Sequence, residues 1–434
     1  MARSLRRLAP AREIEFGWTG GSLSLGAQNA PCPELMSSTL APTLAPPFPI
    51  TARWIISRRM DLIWFIGAAL AGYGMFFLHA GLGWDMVTVW FFWVVLIDSP
   101  HFFGTISRTF LDREEFRERR TMLLGSLLWY LAGPAVLLLG YGMYHAGVPA
   151  YDLPWKVFLA LFSLWAYWHV VRQHYGFLRL YQRKNDDVAP VDFRVDGALL
   201  YGGLLLPYIA FILRHPDTRV QLGLDEVWAG WPAAGVGAWG WDQWAVAGLT
   251  ALLALTVATF LVRQVVRVRQ GIPVNVPKML FLLAVVPLHV YVCLSPAVLT
   301  TGILGFTVFV TIFHDFQYHA IVWFHHKNRY HKPGVDQSRF GWAPKLSKNL
   351  GVYFGCALFF ALLVRLFGCS FEVHPGCGPF VLTSDTPLFG SFHTDALLKA
   401  FLLGFALQHY FVDQFIWKPS KSKALQADLK LKEG

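Results

Sequence analysis

Residues 122–144 read MLLGSLLWYLAGPAVLLLGYGMY, an unbroken stretch without a charged side chain. Roughly 20 apolar residues carry a helix across the hydrocarbon core of a bilayer. Two further runs have the same character, LIWFIGAALAGYGMFFL at 62–78 and WAVAGLTALLALTVATFLV at 244–262. The composition agrees: 434 residues are 55% hydrophobic and only 15% charged, and the mean hydropathy is +0.43. A soluble domain carries about 25% charged residues, so this chain has too few to cover a water-facing surface. The expectation is an all-α, polytopic integral membrane protein rather than a large soluble helical one.

Working outward from these runs, the hydropathy pattern marks about ten spans: 61–80, 86–107, 122–145, 155–181, 197–213, 243–265, 277–296, 298–326, 348–368 and 394–417. Together they make a transmembrane domain over 56–418, followed by a basic cytoplasmic tail at 419–434. Residues 1–55 differ in kind: they are rich in Ala, Ser, Leu and Pro, and contain LAPTLAPP but no spanning run. They are expected to be a disordered extension, or to precede a working start at Met60. A transit peptide fits Arg3, Arg6, Arg7 and Arg12, although Glu13, Glu15 and Glu34 count against it.

The net charge of +10 suggests nucleic acid at first sight. The basic residues nevertheless sit between hydrophobic segments, as positive-inside topology requires. ARWIISRRM precedes the first span, and SRTFLDREEFRERR, RLYQRKNDD, RQVVRVRQ, HHKNRYHK and KPSKSKALQADLKLK follow alternate later ones. The intervening loops, such as YHAGVPAYDLPW and DEVWAGWPAAGVGAWGWDQW, are poor in Lys and Arg. Both termini are therefore expected on the cytoplasmic side, and no nucleic-acid partner is implied. There is no CxxC; Cys369 and Cys377 share one loop and are disulfide candidates if it faces an oxidising compartment.

This topology gives the histidines a common depth. His101 ends the second span, His169 and His174 the fourth, His314 and His319 lie late in the eighth, and His409 with Asp413 ends the tenth. Each precedes the first cytoplasmic Lys or Arg by a few turns, about 8–20 Å at the helical rise. Ionisable residues at membrane depth are costly and face an interior. Neutral imidazole is the commonest metal ligand, and bundles build iron sites from inward-pointing His and carboxylate. Candidate ligands are therefore His101, His169, His174, His314, His319, His409 and Asp413, with His101, His169, His319 and His409 expected as the inner ring. Asp98, Arg172, Gln173, Asp315 and His326 are expected as supporting groups or further ligands, since a carboxylate can fix the tautomer of a ligand His. His169 and His174 are five apart, as are His314 and His319, about 140° around a helix. Either each pair serves two metals or one member only supports. His79, His145, His289 and His393 read as hydrogen-bonded residues between helices, and His215 and His374 as loop residues.

The boxes WHVVRQH (168–174), HDFQYH (314–319) and HHKNRYH (325–331) resemble the HX4H and HH-containing boxes of membrane-bound fatty-acid desaturases and hydroxylases. DSPH (98–101) is similar to the D-x-x-H element of Brp/Blh-type carotene dioxygenases, which spread their iron-binding His over several helices. The HXXHH box of the desaturases does not occur here. These resemblances imply an oxidoreductase with one or two non-haem irons, O2 as oxidant, a lipid or isoprenoid substrate entering from the bilayer, and a cytosolic electron donor. Two other readings stay open: a membrane haem protein with axial His, and a transporter with a His/Asp proton or metal-ion path.

Overall fold

A computed structural model describes residues 49–221, 240–369 and 387–431. The expected extension at 1–55 falls almost wholly outside these residues, as does Cys377 of the expected disulfide. About 79% of the structure is helical. Among the described residues the strands are two short pairs. β1 (Ile50–Thr51) runs parallel to β2 (Val274–Asn275), and β3 (Pro387–Phe389) forms a hairpin with β4 (Phe392–His393), turning through Gly390 at φ +50°.

Each of the ten apolar segments is a helix. α1 (Arg58–Ile66) bends by 41° and continues as Ala69–Ala80. The others are α2 (Met86–Arg108), α3 (Arg120–His145), α4 (Leu153–Lys184), α5 (Pro190–Arg214), α6 (Trp241–Arg269), α7 (Val276–Leu294), α8 (Gly302–Tyr330), α9 (Leu350–Cys369) and α10 (Thr394–Ile416). Five of them, α2, α3, α5, α6 and α7, are long and apolar enough to cross a membrane, and bent α1 makes a sixth if its two parts are one span. α4, α8 and α10 are equally long but carry buried His, Gln and Asp.

The polar residues of α2 and α10 meet in a constant register. His101 faces His409, Thr105 faces Asp413, and Arg108 donates to the carbonyl of Ile416 at 2.8 Å, each pair 308 residues apart. A constant offset means that the two helices run parallel. α8 joins them in the same sense through Thr105 with Tyr318 and His101 with Asp315. α4 does so through His169 with His314 and, one turn on, Gln173 with Gln317. These four helices therefore point their C-termini the same way, as the alternation of basic loops requires.

The basic loops also meet. Arg329, in the last turn of α8, pairs with Asp112 after α2 at 2.9 Å and with Asp428 of the tail at 3.6 Å. Asn185 after α4 holds the backbone of Arg53, and Lys184 reaches the carbonyl of Lys430. A buried ion network fastens α5, α6 and α7 to the loop after α4: Asp187, Asp192 and Asp196 face Arg263, Arg267 and Lys278. Lys278 sits 2.7 Å from both Asp187 and Asp196. α3 packs on α10 where side chains are small. A Cβ at Gly133 would stand 2.3 Å from the Ala400 carbonyl, and one at Gly404 2.5 Å from the Tyr130 backbone.

Candidate metal centre

The approach to the site begins with a proline. Pro100 has no N–H and its ring crowds the carbonyl four residues back, and the turn before it, Val94–Asp98, widens to π geometry. Such widened turns recur at functional sites because they re-aim the side chains that follow. Here they bring Asp98 and His101 inward: His101 Nδ1 lies 3.6 Å from Asp98 and 3.2 Å from Asp315 Oδ1.

Four imidazoles close a ring. The centroid distances are 5.4 Å from His101 to His314, 4.9 Å from His314 to His169, 4.8 Å from His169 to His409 and 4.7 Å from His409 to His101. Each His comes from a different helix, α2, α8, α4 and α10, and all four are buried. The Nε2 atoms of His101 and His409 stand 3.1 Å apart.

One turn further along each helix is a second polar residue: Thr105, Tyr318, Gln173 and Asp413 each follow a ring His by four positions. Because the helices are parallel, these partners form their own layer. Thr105 Oγ1 lies 2.5 Å from the Tyr318 hydroxyl and donates to Asp413 Oδ1 at 2.9 Å, and Tyr318 donates to the same oxygen at 3.0 Å. With its proton committed to Asp413, the Thr105 oxygen accepts from His409 Nδ1 at 2.7 Å. His409 Nδ1 thus carries the hydrogen, and Nε2 is left as an acceptor 3.1 Å from His101 Nε2.

Asp315 is held from its other side by the Trp93 indole, which donates to Oδ2 at 2.9 Å. Its Oδ1 and His101 Nδ1 face each other without a well-directed hydrogen bond. Buried polar groups normally find partners, yet His169 Nε2 and His314 Nδ1 have none either. Unpartnered ring nitrogens converging beside carboxylates that can hold the far nitrogens are the chemistry of a cation site. Three overlapping groups have their ligand atoms within 4.8 Å of one another: His101 with His314 and His409, His169 with His409 and Asp413, and Asp98 with His101 and Asp315. A cation in the first group would be held by His101, His314 and His409, with His169 and Asp413 adjoining. The Nδ1 side of His101, with Asp98 and Asp315, is a second position sharing the same ring.

The structure thus gathers His101, His169, His314, His409, Asp413, Asp98 and Asp315. The fourth side of the ring is His314, not His319 as the sequence led us to expect. His319 is turned toward Tyr353, 3.4 Å from its hydroxyl, and Phe354. His174 likewise turns away from its neighbour His169 and faces His289, with ring centroids 5.4 Å apart. His289 is bonded to the Tyr167 hydroxyl at 2.9 Å, the interhelical role expected of it. His326 lies two turns beyond His319, edge-on to Tyr353. Arg172 leaves the interior altogether, bonding Tyr201 and lying over Tyr175. Gln173 supports the ring through the backbone of His314. Thr105, Tyr318 and Trp93 were missed by sequence reasoning. The first two carry the same signal as Asp413, a polar residue one turn after an intramembrane His.

A cavity of about 650 Å³ opens on the ring. Asp98, His101, His169, His314, Asp315 and Tyr410 line one end, and Trp90, Phe91, Phe162, Leu402, Leu403 and Ala406 are among the apolar residues beyond. Searches against protein-family models, curated proteins and solved structures returned no match.

Proposed function

We propose that the chain is a ten-span membrane protein with both termini cytoplasmic, holding a histidine-ligated, non-haem iron centre that oxidises a lipid or isoprenoid chain with O2. The observation that carries the proposal is a buried four-His ring, with His101 Nδ1, His169 Nε2 and His314 Nδ1 unpartnered, that forms the end wall of a largely apolar cavity. Imidazole with carboxylate suits iron among several first-row metals. The cavity favours a redox-active one, because a hydrocarbon offers no polar bond for hydrolysis. A bound iron supplies O2 activation. The protein's part is to fix the ring nitrogens through Thr105, Asp413 and Asp315, to present the substrate along the cavity wall, and to keep water from the reacting carbon. The gathered basic loops offer a face to an acidic electron donor.

The haem reading is less well supported by the geometry. The four rings stand edge to face at 4.7–5.4 Å, which leaves no gap between opposed histidines for a porphyrin plane. A transport path would need polar residues through both halves of the cavity, and the half away from the ring is largely apolar. The test is metal content by mass spectrometry, with a visible spectrum, on protein purified in detergent without chelator. About one or two irons per chain and no Soret band are expected for a site of this ligand set. Metal-free protein from metal-replete cells would overturn the enzyme reading.

A further inference from the structure

The side of α4 turned away from the cavity carries a pattern of its own. Leu161, Leu164 and Trp168 are exposed, and their spacing of three and four sets them on one stripe. The stripe continues with Arg172, Tyr175 and Arg179, at steps of four, three and four. None of these six lines the cavity. The stripe is therefore apolar in its outer half and cationic toward the cytoplasmic end. α5 forms the second wall of the groove. Trp168 and Tyr175 both stack on Tyr201, with centroids 5.8 and 5.0 Å apart. Arg179 donates to the carbonyl of Phe193, in the first turn of α5, at 2.8 Å. It takes the room that Gly197 leaves, since a Cβ there would stand 2.9 Å from its Nη2. Arg172 lies about 10 Å deeper, seven residues back at the helical rise.

The two guanidiniums share one aromatic ring: Arg172 lies 4.9 Å and Arg179 4.4 Å from the centroid of Tyr175. Arg172 is exposed and donates to the Tyr201 hydroxyl, and Arg179 donates also to Gln182. All of these acceptors are neutral, and neither arginine forms an ion pair among the described residues. Arg263, Arg267 and Lys278 on α6 and α7 each do. Two like charges beside one ring repel, more strongly as water is excluded, and a cation at membrane depth is costly without an anion. We propose that the groove between α4 and α5 binds an anionic phospholipid, its phosphate held by Arg172 and Arg179 and an acyl chain lying along Trp168, Leu164 and Leu161. Basic pockets between helices on the cytoplasmic side hold such headgroups. A guanidinium has five donors, so most of those on Arg172 are left for phosphate oxygens. The apolar stripe that continues the groove is what favours a lipid over free phosphate. The inference rests on the reading of α4 and α5 as membrane spans and is independent of the metal centre.

The test is lipid exchange into the purified full chain in phosphatidylcholine nanodiscs, read by native mass spectrometry of the retained lipid and by thermal unfolding. Phosphatidylglycerol should be retained over phosphatidylcholine by roughly ten- to thirtyfold, the factor of two cations near the membrane surface. The preference should shrink as salt is raised, because the groove is open on one side. Replacing both arginines, Arg172→Gln with Arg179→Gln, should abolish it while leaving the melting temperature in phosphatidylcholine and the metal content unchanged. Lysine at both positions should keep most of it. Arg120→Gln, which removes an exposed arginine at the start of α3, should leave it intact. Neither diacylglycerol nor inorganic phosphate should displace the phosphatidylglycerol. Displacement by inorganic phosphate alone, or a double Gln variant that still selects the anionic lipid, overturns the assignment. A chain that stays in solution without detergent removes the membrane reading and the lipid site together, whereas a chain that needs detergent yet shows no preference overturns the groove alone.

Discussion

Replacing Thr105 by Val tests the centre without touching a ligand. The two side chains are nearly the same size, so packing against α8 and α10 changes little. What is lost is the hub: the acceptor of His409 Nδ1 at 2.7 Å, the donor to Asp413 at 2.9 Å and the contact with Tyr318 at 2.5 Å. Two separable costs follow. Buried polar pairs within membrane proteins average about 0.6 kcal/mol each, so losing the two hydrogen bonds to His409 and Asp413 lowers stability by roughly 1 kcal/mol. The second cost falls on the metal. With its tautomer no longer fixed, His409 binds as a less basic and less oriented ligand, and removal of such an outer partner typically costs 10- to 100-fold in affinity. That corresponds to about 1.4–2.8 kcal/mol. The assay is a competition titration of purified protein against a chelator of known affinity, with thermal unfolding measured in parallel. Thr105→Val should weaken metal binding within that range. Thr105→Ser, which keeps the hydroxyl, should recover most of the affinity even if it does not recover all the stability. Equal metal affinity in the Val variant and the wild type would refute the tautomer argument, as would a Ser variant as weak as the Val one.

Three further outcomes follow from the geometry. His101→Ala, His314→Ala and His409→Ala should each strip metal from the purified protein, whereas His174→Ala and His319→Ala should retain it at wild-type stoichiometry by mass spectrometry. Gly104→Val should destabilise the protein by about 1–3 kcal/mol through overpacking, because even a Cβ there would stand 2.8 Å from the Tyr318 ring; thermal melts and metal titration should both report it. In the loop after α4, burial pushes the Asp187 carboxyl up, but Lys278 and Arg267 together more than reverse this and hold it below its ordinary 3.8. A depressed carboxylate stabilises the fold above its unfolded pKa, and that stability is lost as the pH falls through the folded one. Asp187→Asn should therefore lower stability by about 1–3 kcal/mol at neutral pH, and the gap to wild type in thermal unfolding should close as the pH falls below 3.8.

The helices were legible because their cause is local: an apolar run long enough to span is visible in one dimension. The common depth of the histidines was legible too, since the alternating basic loops orient each helix before any packing is known. Which His faces the ring was not. α8 is buried almost all round, from Gly305 to His326, so hydrophobic periodicity gives it no preferred face. The choice between His314 and His319 is made by rotation against α2 and α4, through Tyr318 with Thr105 and the His314 carbonyl with Gln173. The i,i+4 pairing seen at His409 and Asp413 was the more informative signal. Applied to every intramembrane His, it would have found Thr105 and Tyr318. The contacts between Asp187, Arg267 and Lys278 join separate loops and helices and have no sequence signature at all.

An orphaned imidazole is not by itself a ligand, and the same chain supplies the control. His174 has both ring nitrogens unpartnered, and His326 does as well, yet neither has two further ligand groups within reach among the described residues. The ion network on α5, α6 and α7 shows the opposite case, where buried carboxylates and cations sit at 2.6–2.7 Å and largely neutralise one another. The histidine ring belongs to neither class. Its outer hydrogen bonds are made, through Thr105 to His409 and Trp93 to Asp315, while His169 Nε2, His314 Nδ1 and Asp315 Oδ1 have no partner. Each buried polar atom without a partner costs about 1–3 kcal/mol. A cation bound where several such atoms converge would offset that cost, as we propose for this ring. A purely structural network would pair every ring nitrogen inward. Here only His101 and His409 meet at hydrogen-bond distance, 3.1 Å, and the converging, unpartnered nitrogens of His169 and His314 are what separate a metal reading from a purely structural one.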